Sequence, residues 1–164
     1  MKVFTEEQRL PHWKLFLITG FLITLIVLIY TKFHEATIDR KAVVIMLVSI
    51  LIYALLIVFV FKVKLVSKVN EQGIYFRLFP LHFRERFIPW SDLESVFIRK
   101  YNPVLEYGGW GMRINYHRKR GRAFNVSGNT GLQLILKNGK KILIGTHKEF
   151  EMKQVLKTYS DKLN

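Results

Sequence analysis

Two long apolar runs dominate the first third of the chain. Leu15–Thr31 holds 17 consecutive uncharged residues between Lys14 and Lys32, and Ala42–Phe61 holds 20 between Lys41 and Lys62. A helix needs about 17–25 apolar residues to cross hydrocarbon, so both runs predict transmembrane helices, spans 15–31 and 42–61. Trp13, Lys14, Tyr30, Lys32, Lys41 and Lys62 stand at their ends as interfacial anchors. The short connection from Lys32 to Lys41 makes the pair a helical hairpin, with both chain ends on one side. Lys62, Lys64, Lys68 and Arg77 follow the second run. That excess of positive charge predicts a multi-pass protein of the cell membrane with both termini cytoplasmic, including an N-terminal segment 1–14. The centres of the runs carry no ionisable residue, which points to anchoring in the bilayer rather than transport.

After Lys62 the period shortens. Short alternating stretches punctuated by turn residues predict about seven strands over 62–164. Lys64–Asn70, Ile74–Phe79, Arg84–Ile88 and Ser95–Tyr101 come first, broken by Gly73, Pro80, Pro89 and Asn102-Pro103. Met112–His117, Ala123–Val126, Leu132–Leu136 and Lys141–Ile144 follow. Asn138-Gly139 marks a tight hairpin between the last two, because both residues tolerate positive φ. Thr146 and Glu149 have the spacing of a capping box. Met152, Val155, Leu156, Tyr159 and Leu163 then fall on one face of a closing amphipathic helix.

Charge adds a direction to this picture. The net charge is +14, and from Lys62 onward there are 20 Lys and Arg against 8 Asp and Glu. A basic domain beside a bilayer has anionic lipid head groups as an electrostatic partner, although membrane-adjacent segments are also basic for topological reasons alone. The chain has no Cys, which excludes disulfides, thiolate metal sites and a Cys nucleophile.

Candidate chemistry is sparse. The five His residues show no metal-ligand spacing, and neither Ser91 nor Ser127 sits in a nucleophile-elbow context, so neither a metal, a cofactor nor an enzymatic activity is expected. Gly108-Gly109-Trp110-Gly111 lacks the spacing of a nucleotide fingerprint. Trp110 is a candidate contact residue, or else a packed ring beside a glycine bulge. Arg118, Lys119, Arg120 and Arg122 form a basic hairpin tip that suits an anionic surface, or else a solvated turn. Asn125–Gly131 reads as an anion nest or a plain glycine-rich turn. Nucleic acid is not expected, since no recognised motif accompanies the charge.

Ile88-Pro89-Trp90-Ser91-Asp92-Leu93 with Val96 resembles a step common in bacterial pleckstrin-homology-like domains. Glu106–Arg113, with its GGWG core, and Gly139–Thr146 resemble an uncharacterised branch in which such a domain follows two membrane helices. The resemblance implies a PH-like barrel over 62–164, closed by the C-terminal helix. It also implies a non-enzymatic module that binds a protein partner or itself at the cytoplasmic membrane face. Direct binding of anionic lipid head groups through the basic tip is the alternative. Lys68 and Arg77 are present, but Phe79 stands where an inositide pocket would need a second cation.

Overall fold

A computed structural model describes residues 2–9, 18–23, 25–27, 29–30, 40–115 and 121–163. The chain divides into two units, residues 1–9 with 63–164, and residues 10–62.

In the second unit, residues 18–23, 25–27 and 29–30 are helical, and α1 spans Arg40–Lys62. The membrane hairpin expected from the apolar runs is not supported. Among the described residues no helix is long and apolar enough to cross a membrane. A span needs an unbroken apolar run of about 20 residues. Parts of the first expected span, residues 15–17, 24, 28 and 31, lie outside the described residues, as do several side chains of α1. The bilayer as an integral partner, the multi-pass location and the cytoplasmic assignment of the termini lose their basis with it.

The first unit holds two sheets. One has four strands in the order β1 (Phe4–Arg9), β2 (Lys64–Val69), β3 (Gly73–Phe79) and β4 (Arg86–Pro89), all antiparallel. The other has five, in the order β5 (Leu93–Lys100), β8 (Thr130–Leu136), β9 (Lys141–Gly145), β7 (Gly121–Asn125) and β6 (Gly111–Asn115). A short helix α2 (Pro103–Tyr107) precedes β6, and α3 (Glu149–Thr158) ends in a 3-10 turn over Ser160–Leu163. Neither sheet closes on itself, so the expected PH-like barrel of about seven strands is corrected to two open sheets with nine strands among the described residues. The physical difference lies in pairing. β7 sits parallel to β9, and β1 comes from the chain's first residues, two choices that local alternation does not encode.

Alternation nevertheless builds the core. Leu65 and Val69 of β2, Ile74, Phe76 and Leu78 of β3, Phe124 of β7, Leu132 and Leu134 of β8 and Ile144 of β9 are buried. The Phe76 and Phe124 rings bring the sheets together at 4.9 Å between centroids. Each such side chain contributes about 1.5–3 kcal/mol on leaving water. Met152 and Val155 bring the apolar stripe of α3 into the core. Tyr159 then stacks near Trp90 at 5.6 Å, and its hydroxyl donates to the Lys2 carbonyl at 2.6 Å.

β1 is the element whose inward face is unusual. Phe4, Glu6 and Gln8 point in, while Thr5, Glu7 and Arg9 point out. The Glu6 carboxyl accepts from Thr146 Oγ1 at 2.6 Å, from the His147 backbone N–H at 2.8 Å and from Gln8 Nε2 at 2.9 Å. Gln8 Nε2 also donates to the Gly145 carbonyl at 2.8 Å. Thr146 therefore does not cap α3 as a capping box. The helix starts at Glu149 with Lys148 before it and no side-chain cap, and Glu149 pairs with Lys153 instead. The Thr146 hydroxyl plays both roles, donating to the carboxyl 140 residues away and accepting from the Lys148 N–H at 3.1 Å, while the Glu149 side chain turns to Lys153 rather than back to Thr146.

Gly121 opens β7 at φ +79°, and a Cβ there would lie 2.1 Å from the Lys141 carbonyl oxygen. Gly121→Ala combines that clash with left-handed backbone strain, so a loss on the order of 2–3 kcal/mol is expected in chemical denaturation.

His82 packs near Phe76 and Phe124 and is buried. Its Nδ1 accepts from the Leu78 N–H at 3.5 Å, and Nε2 has no partner among the described residues. Burial, and then the nearby Arg86 charge, hold its pKa below the usual imidazole value. As pH falls, the unfolded chain takes up the proton first. Stability from this group is therefore complete above about pH 6.5 and declines below it, by at most about 1.4 kcal/mol per pH unit. Denaturation midpoints measured from pH 8 to 5 should show the decline, and His82→Phe should remove that component of it.

Candidate functional site

The GGWG segment is set in place by a polar network beneath it. Asn102 caps α2, its Oδ1 accepting from the Val104 and Leu105 N–H groups, with Pro103 at the first helical position. Gly108, at φ +74°, ends the helix in the left-handed region that a side chain would strain. Arg99 of β5 donates to Glu106 at 2.9 Å, to Gln133 at 3.0 Å and to the Tyr107 hydroxyl at 3.2 Å. Tyr101 and Tyr107 close over Ala123 and Leu143 as a small buried cluster. Burial raises the Tyr101 pKa, against the Asn125 Nδ2 donor at 2.7 Å. The other end of the same amide, Asn125 Oδ1, accepts from the Gly111 N–H at 2.8 Å. One buried asparagine thus ties the core to the first residue of β6.

β6 itself is an edge strand, paired with β7 alone among the described residues. Met112 and Ile114 share one face of β6, Trp110 immediately precedes the strand, and the three remain 39%, 42% and 38% exposed. The Trp110 indole N–H donates to the Gly128 carbonyl at 3.1 Å, which fixes the ring at one end of the row. Met112 lies opposite buried Phe124, and Ile114 opposite exposed Arg122, so the row prolongs the core face outward. Arg113 points to the other face, and its Nε donates to the Trp110 carbonyl at 3.0 Å.

The site residues suggested by sequence divide accordingly. Trp110 and Arg122 both stand along the β6–β7 hairpin. Arg118, Lys119 and Arg120 lie outside the described residues. Met112 and Ile114 were legible only as strand alternation, since a sequence does not distinguish an edge strand from a central one.

A second polar grouping went unseen in the sequence. Ser127 Oγ lies 3.0 Å from His147 Nε2, and the adjoining Glu6 carboxyl accepts from the His147 backbone. The three residue types suggest a nucleophilic triad, but the geometry differs. Glu6 meets the main chain of His147 rather than its ring, and Ser127 is 5% exposed. No signal of spacing links residues 6, 127 and 147. Among the described residues no group of three or more His, Asp or Glu could hold a metal ion.

The chain belongs to a family of unknown function (DUF6141), whose profile matches residues 1–160. This membership replaces the resemblance to a bacterial PH-like protein with two membrane helices. No curated protein and no solved structure matches the chain.

Proposed function

We propose that this family member is a non-catalytic binding module that takes up an extended polypeptide segment as an added strand along β6. The open edge of β6, with its exposed apolar row, carries the reading. A free sheet edge offers main-chain donors and acceptors to a partner strand, and alternate side chains of that partner meet the exposed row.

The other edges are guarded. The outward residues of β1 are Thr5, Glu7 and Arg9, with Glu7 paired to both Arg9 and Lys64. Those cations, Arg9 first, hold the Glu7 carboxyl below its usual pKa. Charged side chains of this kind discourage strand addition. β4 is four residues long and ends in Pro89. β5 has a register shift between Leu93 and Ser95 and packs against the C-terminal 3-10 turn. β6 carries a single charge, Arg113, whose side chain turns back to the Trp110 carbonyl, between the apolar Met112 and Ile114.

The test is peptide display against the whole chain, with extended octamers as probes, followed by amide hydrogen exchange. Bound peptides should slow exchange along β6, and Met112→Lys with Ile114→Lys should abolish binding at an unchanged melting temperature. Peptides that bind the double variant as tightly as the parent chain would place the contact elsewhere and end this reading.

A further inference from the structure

The chemistry around β6 also selects among extended peptides; this step rests on the strand-capture reading above. From Tyr107 through Lys148 the sequence contains no Asp or Glu, and it contains nine Lys and Arg. Three cations of the described structure border the row. Arg122 stands opposite Ile114 on β7. The Arg86 guanidinium lies 5.6 Å from the ring of Phe124, the residue opposite Met112. Arg113 projects from the other face of β6, with one of its nitrogens turned to the Trp110 carbonyl. None of the three forms an ion pair among the described residues. The acids nearest in the chain are engaged elsewhere, Glu106 with Arg99 and Glu149 with Lys153.

We infer that the partner of β6 is an extended segment in which apolar and acidic residues alternate. In a strand laid beside β6, residues of one parity face Met112 and Ile114, and residues of the other parity face Arg113. Directly opposed side chains on neighbouring strands interact, so apolar partners suit the first parity and carboxylates the second. Arg122 lies on the Ile114 face, opposite to that of Arg113, so it adds to the positive field that the peptide meets rather than pairing with the acidic parity. Charge also steers the encounter, because the approaching segment meets a surface of one sign. A basic or uniformly apolar strand satisfies one parity and violates the other.

Four synthetic hexapeptides test this against the full chain by fluorescence anisotropy: alternating Val and Glu, alternating Val and Gln, alternating Val and Lys, and a block peptide with three Val before three Glu. The alternating Val–Glu peptide should bind at least ten-fold tighter than the Val–Gln peptide, and the Val–Lys peptide should not bind. Raising salt, or making Arg113→Gln with Arg122→Gln, should bring the Val–Glu affinity down to the Val–Gln value. Equal binding of the Val–Glu and Val–Gln peptides would overturn the acidic preference while leaving strand capture in place. Equal binding of the alternating and block peptides would overturn the alternation and reduce the effect to net charge. Binding of none of the four would overturn both readings.

Discussion

Replacing residues 10–63 by Asn-Gly should leave the two-sheet unit folded, whereas removing residues 1–9 should unfold it. Arg9 and Lys64 are the last register pair of β1 and β2, so the chain leaves the sheet and returns to it at adjacent positions. A two-residue Asn-Gly turn joins antiparallel neighbours at that point with the twist the strands require. Shortening the connection also lowers the entropy lost on closing it, by roughly 0.6 kcal/mol per halving of length. Loss of β1 acts in the opposite direction. It uncovers Leu65 and Val69, strips the Thr146 hydroxyl and the His147 N–H of their acceptor, and bares the full edge of β2. The lost burial of Phe4 and the exposure of Leu65 and Val69, at about 1.5–3 kcal/mol each, together with the lost hydrogen bonds at about 0.5–1.5 kcal/mol each, exceed the low end of a domain's stability. Circular dichroism and a cooperative thermal transition should be present in the joined chain and absent from the truncated one. A truncated chain that melts cooperatively near the same temperature would show that β1 is dispensable.

Glu6→Ala should be the most damaging single substitution on β1. The carboxyl serves three donors at once, and two of them, Thr146 Oγ1 and the His147 N–H, have it as their acceptor. Gln8 retains the Gly145 carbonyl. Leaving the buried Thr146 hydroxyl bare costs about 1–3 kcal/mol and losing the bond to the part-buried His147 N–H about 0.5–1.5 kcal/mol more, a sum that urea denaturation resolves easily. Thr146→Val removes one donor and keeps the carboxyl satisfied by the others, so it should cost about 1–2 kcal/mol. The double variant should lose less than the sum, because Thr146→Val removes a donor that Glu6→Ala strands. Strict additivity would mean that the two groups do not act on each other.

These two predictions concern the parts of the fold that the sequence conceals. The strands from Lys64 to Gly145 follow period-two alternation and turn residues closely, and a hairpin joins β8 to β9 at Asn138-Gly139, with its turn one residue earlier than expected, over Lys137-Asn138, and Gly139 following at φ +76°. β1 escapes that logic because its inward face reads Phe, Glu, Gln, and a buried carboxyl looks like surface until its donors are known. Its partners lie about 60 and 140 residues away. Residues 102–108 carried an N-cap, a proline at the first turn and a terminal glycine, yet the strand-breaking sense of Asn102-Pro103 obscured the short helix. The barrel expectation failed where topology is decided by pairing between distant strands. At the candidate site, the GGWG motif drew attention to Trp110 for its composition. The structural reason to look there is different: Asn125 pins Gly111 and leaves the row beyond it uncovered.

The distance along the chain between Glu6 and Thr146 also constrains biosynthesis. The first strand leaves the ribosome long before its hydroxyl partner exists, roughly 7–28 s earlier at 5–20 residues per second. For the first part of that interval the strand also waits for β2, about 60 residues behind it, and for the rest its buried carboxyl lacks its donors. The last sheet strands and α3 must emerge before the first nine residues can be locked. The carboxyl of Glu6 is therefore the last part of β1 to be satisfied, long after the strand itself can pair with β2.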